Sequence, residues 1–330
     1  VTLSTFHGCP PDEVERIGEY LIDDLGVRTI IKLNPTLLGP ERLRGLLNDH
    51  LGYEDLVVPD QAFTDDMQFD QAIGIISRLR DRAAGKGLGF GAKFTNTCIV
   101  ENHRDFFPSA EKVMYMSGDP LHVLSMNLVT DFRERFGNSI QLSFSAGIKA
   151  DNFHEAVCLG LTPVTTCTDL LKKGGYMRSS KYFVQLRKAM KAAGASDIES
   201  LILAKAGRAI GLVDEVLDDV ATEQRGQLKA ALEQQQQDGA WEPRAAFDGV
   251  FGQGAEATAH YQALLARCTL ENSLAYRRFL NSTDTYSKTR LDKVPPKPGT
   301  KLWMFDCLTC DICVPVCPNN ANFTYDLDTA

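Results

Sequence analysis

The residues best placed to do chemistry lie near the end of the chain, in Cys307-Leu-Thr-Cys310-Asp-Ile-Cys313-Val-Pro-Val-Cys317-Pro318. Three cysteines are separated by two-residue gaps, a fourth follows after three residues, and a proline comes next. This is the C-x2-C-x2-C-x3-C-P run of bacterial ferredoxin-type loops, which delivers thiolates to a cubane 4Fe-4S cluster. A tight loop brings three sulfurs together. The fourth then sits at a helix start, where Pro318 is tolerated because the first helical turn leaves its N–H groups unpaired anyway. A zinc knuckle or free thiols are the alternatives. Zinc sites usually pair two separate C-x2-C elements, and no second element of that kind exists here. In two-cluster ferredoxins the fourth cysteine of such a run serves the neighbouring cluster. The remaining cysteines, Cys9, Cys98, Cys158, Cys167 and Cys268, are scattered singly. Cys317 therefore either completes its own cluster or ligates one whose other thiolates lie outside the chain.

Composition bounds what can surround this loop. A chain of 330 residues accommodates one large domain plus an appendage. Its 44% hydrophobic and 24% charged content is that of a globular protein. A net charge of −8 argues against a nucleic-acid partner. No run of eighteen apolar residues is present to span a bilayer, and no charged-then-apolar opening reads as a signal peptide. Nine cysteines, four of them in the cluster run, fit a reducing, cytoplasmic setting rather than a disulfide framework. The chain opens on a strand-like stretch at Val1 and stops soon after the cluster loop, so it reads as a piece of a longer polypeptide.

The elements that must position the loop alternate along the first part of the chain. Strands are expected at 1–5, 28–35, 88–95, 139–144 and 163–167, with a further short one at Leu56-Val57-Val58. Helices are expected at 12–26, 70–85, from Ser117 through Phe136, at 152–159 and at 182–193. Residues 98–115 read as a long polar loop. Polar Gly, Ser, Thr and Asn clusters follow the strands, which is where a (β/α) barrel keeps its site residues. A Rossmann fold would need G-x-G-x-x-G after a strand, and none occurs. The fold class is thus α/β, a partial (β/α) TIM barrel with about five of the eight units, over residues 1–195. A helical extension covers 196–292, and within it 214–237 reads as a solvated face or linker. Residues 293–330 form a stiff Pro-rich linker and a small ferredoxin-like iron–sulfur segment.

The ordered set Cys9, Lys32-Leu-x-Pro35, Thr95-Asn96-Thr97, Ser117-Gly118, Ala146-Gly147-Ile148 and Thr166-Cys167-Thr168 resembles the second half of the FMN barrel of dihydropyrimidine and dihydroorotate dehydrogenases. With Ser4-Thr-Phe-His-Gly-Cys-Pro-Pro and the terminal cysteine run, the chain is most similar to the flavoprotein subunits assigned to selenate reductases. The resemblance covers residues 1 to about 180 and 300–322. It implies a barrel flavin, FMN, beside Lys32, whose cation would stabilise a reduced, anionic ring. Asn96 and Thr97 would bond flavin or substrate edges. Ser117, Gly118, Ala146, Gly147, Cys167 and Thr168 would hold the FMN phosphate through backbone amides. Cys9 would act as general acid, its pKa lowered by the following helix N-terminus, and His7 is a secondary candidate. It further implies FAD and NAD(P)H on a domain outside this segment. Implied partners are other redox subunits, among them a molybdenum-type enzyme, and a small-molecule substrate. The chain departs from the pyrimidine enzymes in having Thr2-Leu3-Ser4 for Asn-Leu-Ser and Ala146-Gly147 for Gly-Gly, and in a shorter loop at 98–115. These departures argue against a pyrimidine substrate. A cofactor-free barrel that docks a partner, with the cluster as its only redox centre, is the alternative.

Overall fold

Short apolar strands and amphipathic helices alternate from the first residues onward. β1 (Thr2–Ser4) leads into α1 (Pro11–Asp23), which turns Val14, Gly18 and Ile22 inward. β2 (Thr29–Leu33) is followed by a 3-10 turn at Pro35–Leu38, by α2 (Pro40–Arg44) continuing as a π-helical turn at Gly45–His50, and by α3 (Asp60–Asp65). α4 (Phe69–Gly85) lays Ala72, Ile75, Ile76, Leu79 and Ala83 against the sheet, and β3 (Phe90–Phe94) follows. β4 (Cys98–Glu101) and β5 (Val113–Met116) come next, then α5 (Asp119–Phe136), β6 (Gln141–Phe144) and α6 (Phe153–Cys158). The computed structural model describes residues 1–103, 110–172 and 174–291. Cys307, Cys310, Cys313, Cys317 and the Pro-rich linker lie outside the described residues.

The main sheet has the order β1-β2-β3-β6, with every pairing parallel, and Val164 extends it by a parallel bridge to Phe144. This is the arc of a TIM barrel, wound by βα units in sequence order. Register fixes which residues share a face. Ser4, Lys32, Lys93 and Ser143 form one row across the strands. Ile31, Ala92 and Leu142 form the next row on the opposite face, where each is at most 1% exposed under the helices. β3 and β6 approach closely at Gly91, where an added Cβ would fall 2.3 Å from the Gln141 carbonyl oxygen. Only glycine leaves room for that pairing.

α5 is buried on all sides because it lies between the sheet and a long helix that comes later in the chain. Its burial is not purely apolar, so each polar group on it must be satisfied inside the protein. Ser125 bonds Thr95, Asn127 donates to the Val123 carbonyl and to Asn281, and Thr130 donates to the Met126 and Ser273 carbonyls. Arg133 reaches the Gly137 and Leu159 carbonyls, and burial pushes its pKa down to about 10.

α7 (Ser180–Ala192) ends the barrel part, stacking Tyr182 on Phe153, and the extension that follows is built of helices: α8 (Ile198–Lys205), α9 (Ala209–Val216), α10 (Thr222–Asp238), α11 (Pro243–Phe251) and α12 (Ala255–Leu280). α8 to α12 enclose a second apolar core around Leu212, Val213, Leu228, Phe247, Tyr261 and Leu264. α12 belongs to both cores, since Tyr276 and Leu280 are buried with the barrel residues. Val1–Arg290 accordingly form one compact unit.

Three expectations are corrected. Residues 98–115 are not simply a polar loop: β4 and β5 pair antiparallel, with Cys98 opposite Met116, because Cys98, Val100 and Met116 bury one face of a hairpin. Leu56-Val57-Val58 is not a strand, and the segment around it is helical at α2 and α3. Of the two readings of 214–237, the solvated face holds and the linker does not: the glutamine run of α10 faces solvent while Leu228 and Leu232 are buried.

The barrel and α12 meet at His122. Its Nδ1–H donates to the Ala146 carbonyl at 2.9 Å, and Nε2 accepts from the Tyr276 hydroxyl at 2.9 Å. Burial pushes its pKa down to about 4, so the ring is neutral and can make both bonds. Tyr276→Phe should strip Nε2 of its donor in a dry environment and lower the unfolding free energy by about 1–3 kcal/mol. Urea denaturation followed by far-UV circular dichroism measures this, and an unchanged midpoint would show that the bond contributes nothing.

Candidate functional site

The loops at the carboxyl ends of the parallel strands converge on one carboxylate. Asp66, at the end of α3, is buried. It accepts from His7 Nδ1 at 2.6 Å, from the Gly8 amide at 2.7 Å and from Thr36 Oγ1 at 2.6 Å. His7 Nε2 lies 2.9 Å from the Thr97 carbonyl, and the ring stacks on Tyr115 of β5. A carbonyl accepts but cannot donate, so Nε2 carries a proton. A carboxylate facing Nδ1 calls for a proton there as well, and the ring is therefore an imidazolium paired with Asp66. Burial opposes that charge, but the hydrogen bonds to Asp66 and Thr97 outweigh it and hold the His7 pKa above 6.5. Burial likewise opposes ionised Asp66, and the bonds from His7, Thr36 and Gly8 outweigh it, keeping the carboxyl below 3.8.

Beside this pair the structure brings several expected site residues together. The Asn96 amide nitrogen donates to the Thr5 carbonyl and, at 2.8 Å, to Asn34 Oδ1, while its oxygen accepts from Ser4 Oγ at 3.1 Å. Asn96 thus ties the ends of β1, β2 and β3. Thr97 contributes its carbonyl to His7. Lys32 stands half-buried on the interior row next to Lys93. Burial lowers the pKa of Lys32, opposed by nearby Cys167, which is itself exposed.

A second group forms where α5 begins. Gly118 and Gly147 both adopt positive φ, +82° and +57°, and an added Cβ on Gly147 would lie 2.5 Å from the Gly118 carbonyl oxygen. An added Cβ on Gly118 would meet Thr168 at 3.6 Å. Ser117-Gly118, Ala146-Gly147 and Thr168 are therefore neighbours at the start of α5, the Gly118 carbonyl packing on Gly147 and the Thr168 methyl facing Gly118. Beside them Lys149 pairs with Asp119 at 2.8 Å. Asn152 braces the loop beneath through the Gly147 carbonyl and the Tyr286 hydroxyl.

Cys9 lines a cleft with Thr5, Phe6, Val14, Leu33, Asn34, Leu37 and Met67. Its thiol does not follow the sequence expectation. Burial pushes its pKa up, and Glu13, Asp12 and Asp66 push it further. The acidic first turn of α1 cancels the helix-terminus effect that would have favoured thiolate. A protonated thiol remains competent to donate. Cys98, Cys158 and Cys268 are also buried, each pushed up to about 12 by desolvation, and they read as core residues. Among the described residues no group of three or more His, Cys, Asp or Glu is placed to hold a metal. Sequence reasoning missed Asp66, Lys93 and His122.

The His7–Asp66 pair has a defined pH window. His7, with a folded pKa above 6.5, contributes fully below pH 6.5 and loses its contribution as pH rises through that raised value. Asp66, held below 3.8, contributes above 3.8 and loses it only as pH falls through its lowered value. The stability gap between wild type and His7→Gln should be widest between pH 3.8 and 6.5 and narrow above it. Asp66→Asn should cost about 3–5 kcal/mol in that window, because it leaves a buried imidazolium uncompensated. Urea titrations from pH 4 to 9 check both outcomes.

Comparison with known proteins agrees with this architecture. The family model for the N-terminal TIM-barrel domain of oxidoreductase YgfK matches residues 1–222. Two curated relatives, the YgfK proteins of Escherichia coli (strain K12) and Escherichia coli O157:H7, are named as oxidoreductases, and each is 41% identical over 180 residues. The match covers 54% of this chain but 17% of each relative. With residues 1–222 matched, the chain belongs to the family of the oxidoreductase YgfK N-terminal TIM-barrel domain.

Proposed function

We propose that the chain is part of an iron–sulfur flavoprotein oxidoreductase of the YgfK type, related to the flavoprotein subunits assigned to selenate reductases. The observation that carries this reading is the union, in one chain, of a ferredoxin-type cysteine run with a barrel that brings Gly118 and Gly147 together and holds Lys32 without a carboxylate partner among the described residues. In this reading Cys307, Cys310, Cys313 and Cys317 hold a 4Fe-4S cluster. FMN would rest its phosphate against Ser117, Gly118, Ala146, Gly147, Cys167 and Thr168, with Lys32 at the ring. When bound, the two groups supply one-electron and hydride chemistry, linking NAD(P)H, through an FAD domain outside this segment, to a partner reductase such as a molybdenum-type enzyme. Among the described residues no helix is long and apolar enough to cross a membrane. Together with the cysteine usage, this supports a cytoplasmic setting.

The residues have separable tasks. Lys32 offers a cation where negative charge collects, and burial sharpens that attraction. Cys9, kept protonated by its surroundings, can deliver a proton from Sγ into the cleft it lines. His7 and Asp66 take no part in transfer: they fix the Cys9 loop against α3 and the Thr97 turn.

A second reading is favoured by one observation. The Asn96 side chain is committed to Ser4, Thr5 and Asn34, so it holds strand ends rather than standing open to a ligand. A barrel used as a docking scaffold, with the cluster as the only redox centre, accommodates that arrangement.

Anaerobic protein should contain about four iron and four labile sulfide per chain, and Cys310→Ser should lose most of both. Wild-type protein that contains no iron, or zinc in its place, refutes the cluster assignment. Acid denaturation should release FMN into the supernatant. A flavin-free supernatant from iron-replete protein selects the scaffold.

A further inference from the structure

Two lysines stand side by side on the interior face of the sheet. Register pairs Lys32 of β2 directly with Lys93 of β3, and the row is completed by Ser4 on one side and Ser143 on the other. Adjacent strands lie about 4.8 Å apart, so the two stems leave the sheet as near neighbours. Their row alternates with the apolar residues packed under the helices, which turns both ammonium groups toward the barrel mouth. Both are half-buried, and among the described residues neither forms an ion pair or a hydrogen bond.

This arrangement works against the fold. Like charges directly opposite across a strand pair are destabilising, and lysine is rarely buried without a partner. Burial lowers the pKa of Lys93, and neighbouring Lys32 lowers it further. An ordinary lysine amine starts roughly three units above neutrality, and burial works on both from there. Several other barrel cations find carboxylates, as Lys149 does with Asp119, Arg178 with Asp169 and Arg42 with Asp131, and buried Arg133 is met by backbone carbonyls instead. Among the described residues Lys32 and Lys93 have neither kind of partner. The reading above gives Lys32 to the flavin ring and leaves Lys93, its register partner, without a task.

We propose that Lys93, seated beside the Lys32 ammonium, is the recognition residue for an anionic substrate group, a carboxylate or an inorganic oxyanion, held next to the place that Lys32 serves in the reading above. Ser4 and Ser143 flank the pair in the same row, although Ser143 Oγ is already spent on the Pro163 carbonyl and Ser4 Oγ on Asn96. The Lys93 ammonium therefore supplies the charged donor. The inference rests on the proposed function only in placing the substrate at the barrel mouth.

The test uses the intact polypeptide, purified anaerobically in chloride buffer, with sulfate titrated in a calorimeter at constant ionic strength. Saturable binding is expected, weakened roughly tenfold or more by Lys93→Gln, the loss of one charge-assisted contact, and largely retained by Lys93→Arg. In unsubstituted protein, sulfate should also protect Lys93 from an amine-acylating reagent, read by peptide mass mapping, which removes any dependence on a folded variant. No saturable binding, or an affinity unchanged in Lys93→Gln together with unprotected Lys93, overturns the inference. Flavin content measured on the same samples keeps the two readings apart. Flavin-free protein that binds sulfate through Lys93 upholds the anion site and removes the redox role of the barrel, whereas flavin-replete protein indifferent to sulfate does the reverse.

Discussion

One buried carboxylate decides how the mouth of this barrel is built. Asp66 cannot remain ionised away from water unless several donors surround it, and the chain brings three from two segments, His7 and Gly8 after β1 and Thr36 after β2. His7 is fixed by that demand, and its second nitrogen then fixes the Thr97 turn. The strand-end loops after β1 and β3 and the helical excursion after β2 are thus tied together by charge and hydrogen bonding, in addition to the apolar packing of Leu37, Leu43, Leu47 and Phe63. Cys9, two residues beyond His7, inherits its position from this network.

The opposite side of the mouth uses a histidine in the other charge state. His122 is enclosed by Phe144, Tyr276 and Tyr286 and is kept neutral. The two rings answer pH in contrary directions. Lowering pH from 6.5 towards 4 loses the stability that depends on an uncharged His122, whereas the contribution of charged His7 is already complete below 6.5 and is lost only as pH rises above it. The side of Gly118 and Gly147 near α5 is therefore the acid-sensitive half of the mouth, and the Cys9 half is its alkali-sensitive counterpart.

The barrel arc was legible in the sequence because period-2 and period-3.6 patterns are strong in buried βα units, as at 28–35 and 70–85. Gly118 and Gly147 stood out in the sequence because glycines after strands carry a conformational meaning, and both adopt positive φ and lie side by side near Thr168. Asp66 was not, since its partner His7 lies 59 residues away and α3 is a short helix without a readable stripe. The hairpin of β4 and β5 was hidden because the connection between them is polar, and polarity outweighed two short apolar strands. Lys93 escaped notice inside an otherwise apolar strand. Only the register with Lys32 shows that two charges share a row.

α12 deserves a reading as a beam. Over 26 residues it runs from the second core, at Tyr261 and Leu264, to the barrel, at Tyr276 and Leu280. A rigid rod anchored at both ends transmits displacement without damping it. A load applied to the far helices, such as docking against α10 or α11, would be delivered through Tyr276 and His122 to the backbone of Ala146, some hundred and thirty positions away in the chain but one side chain away in space.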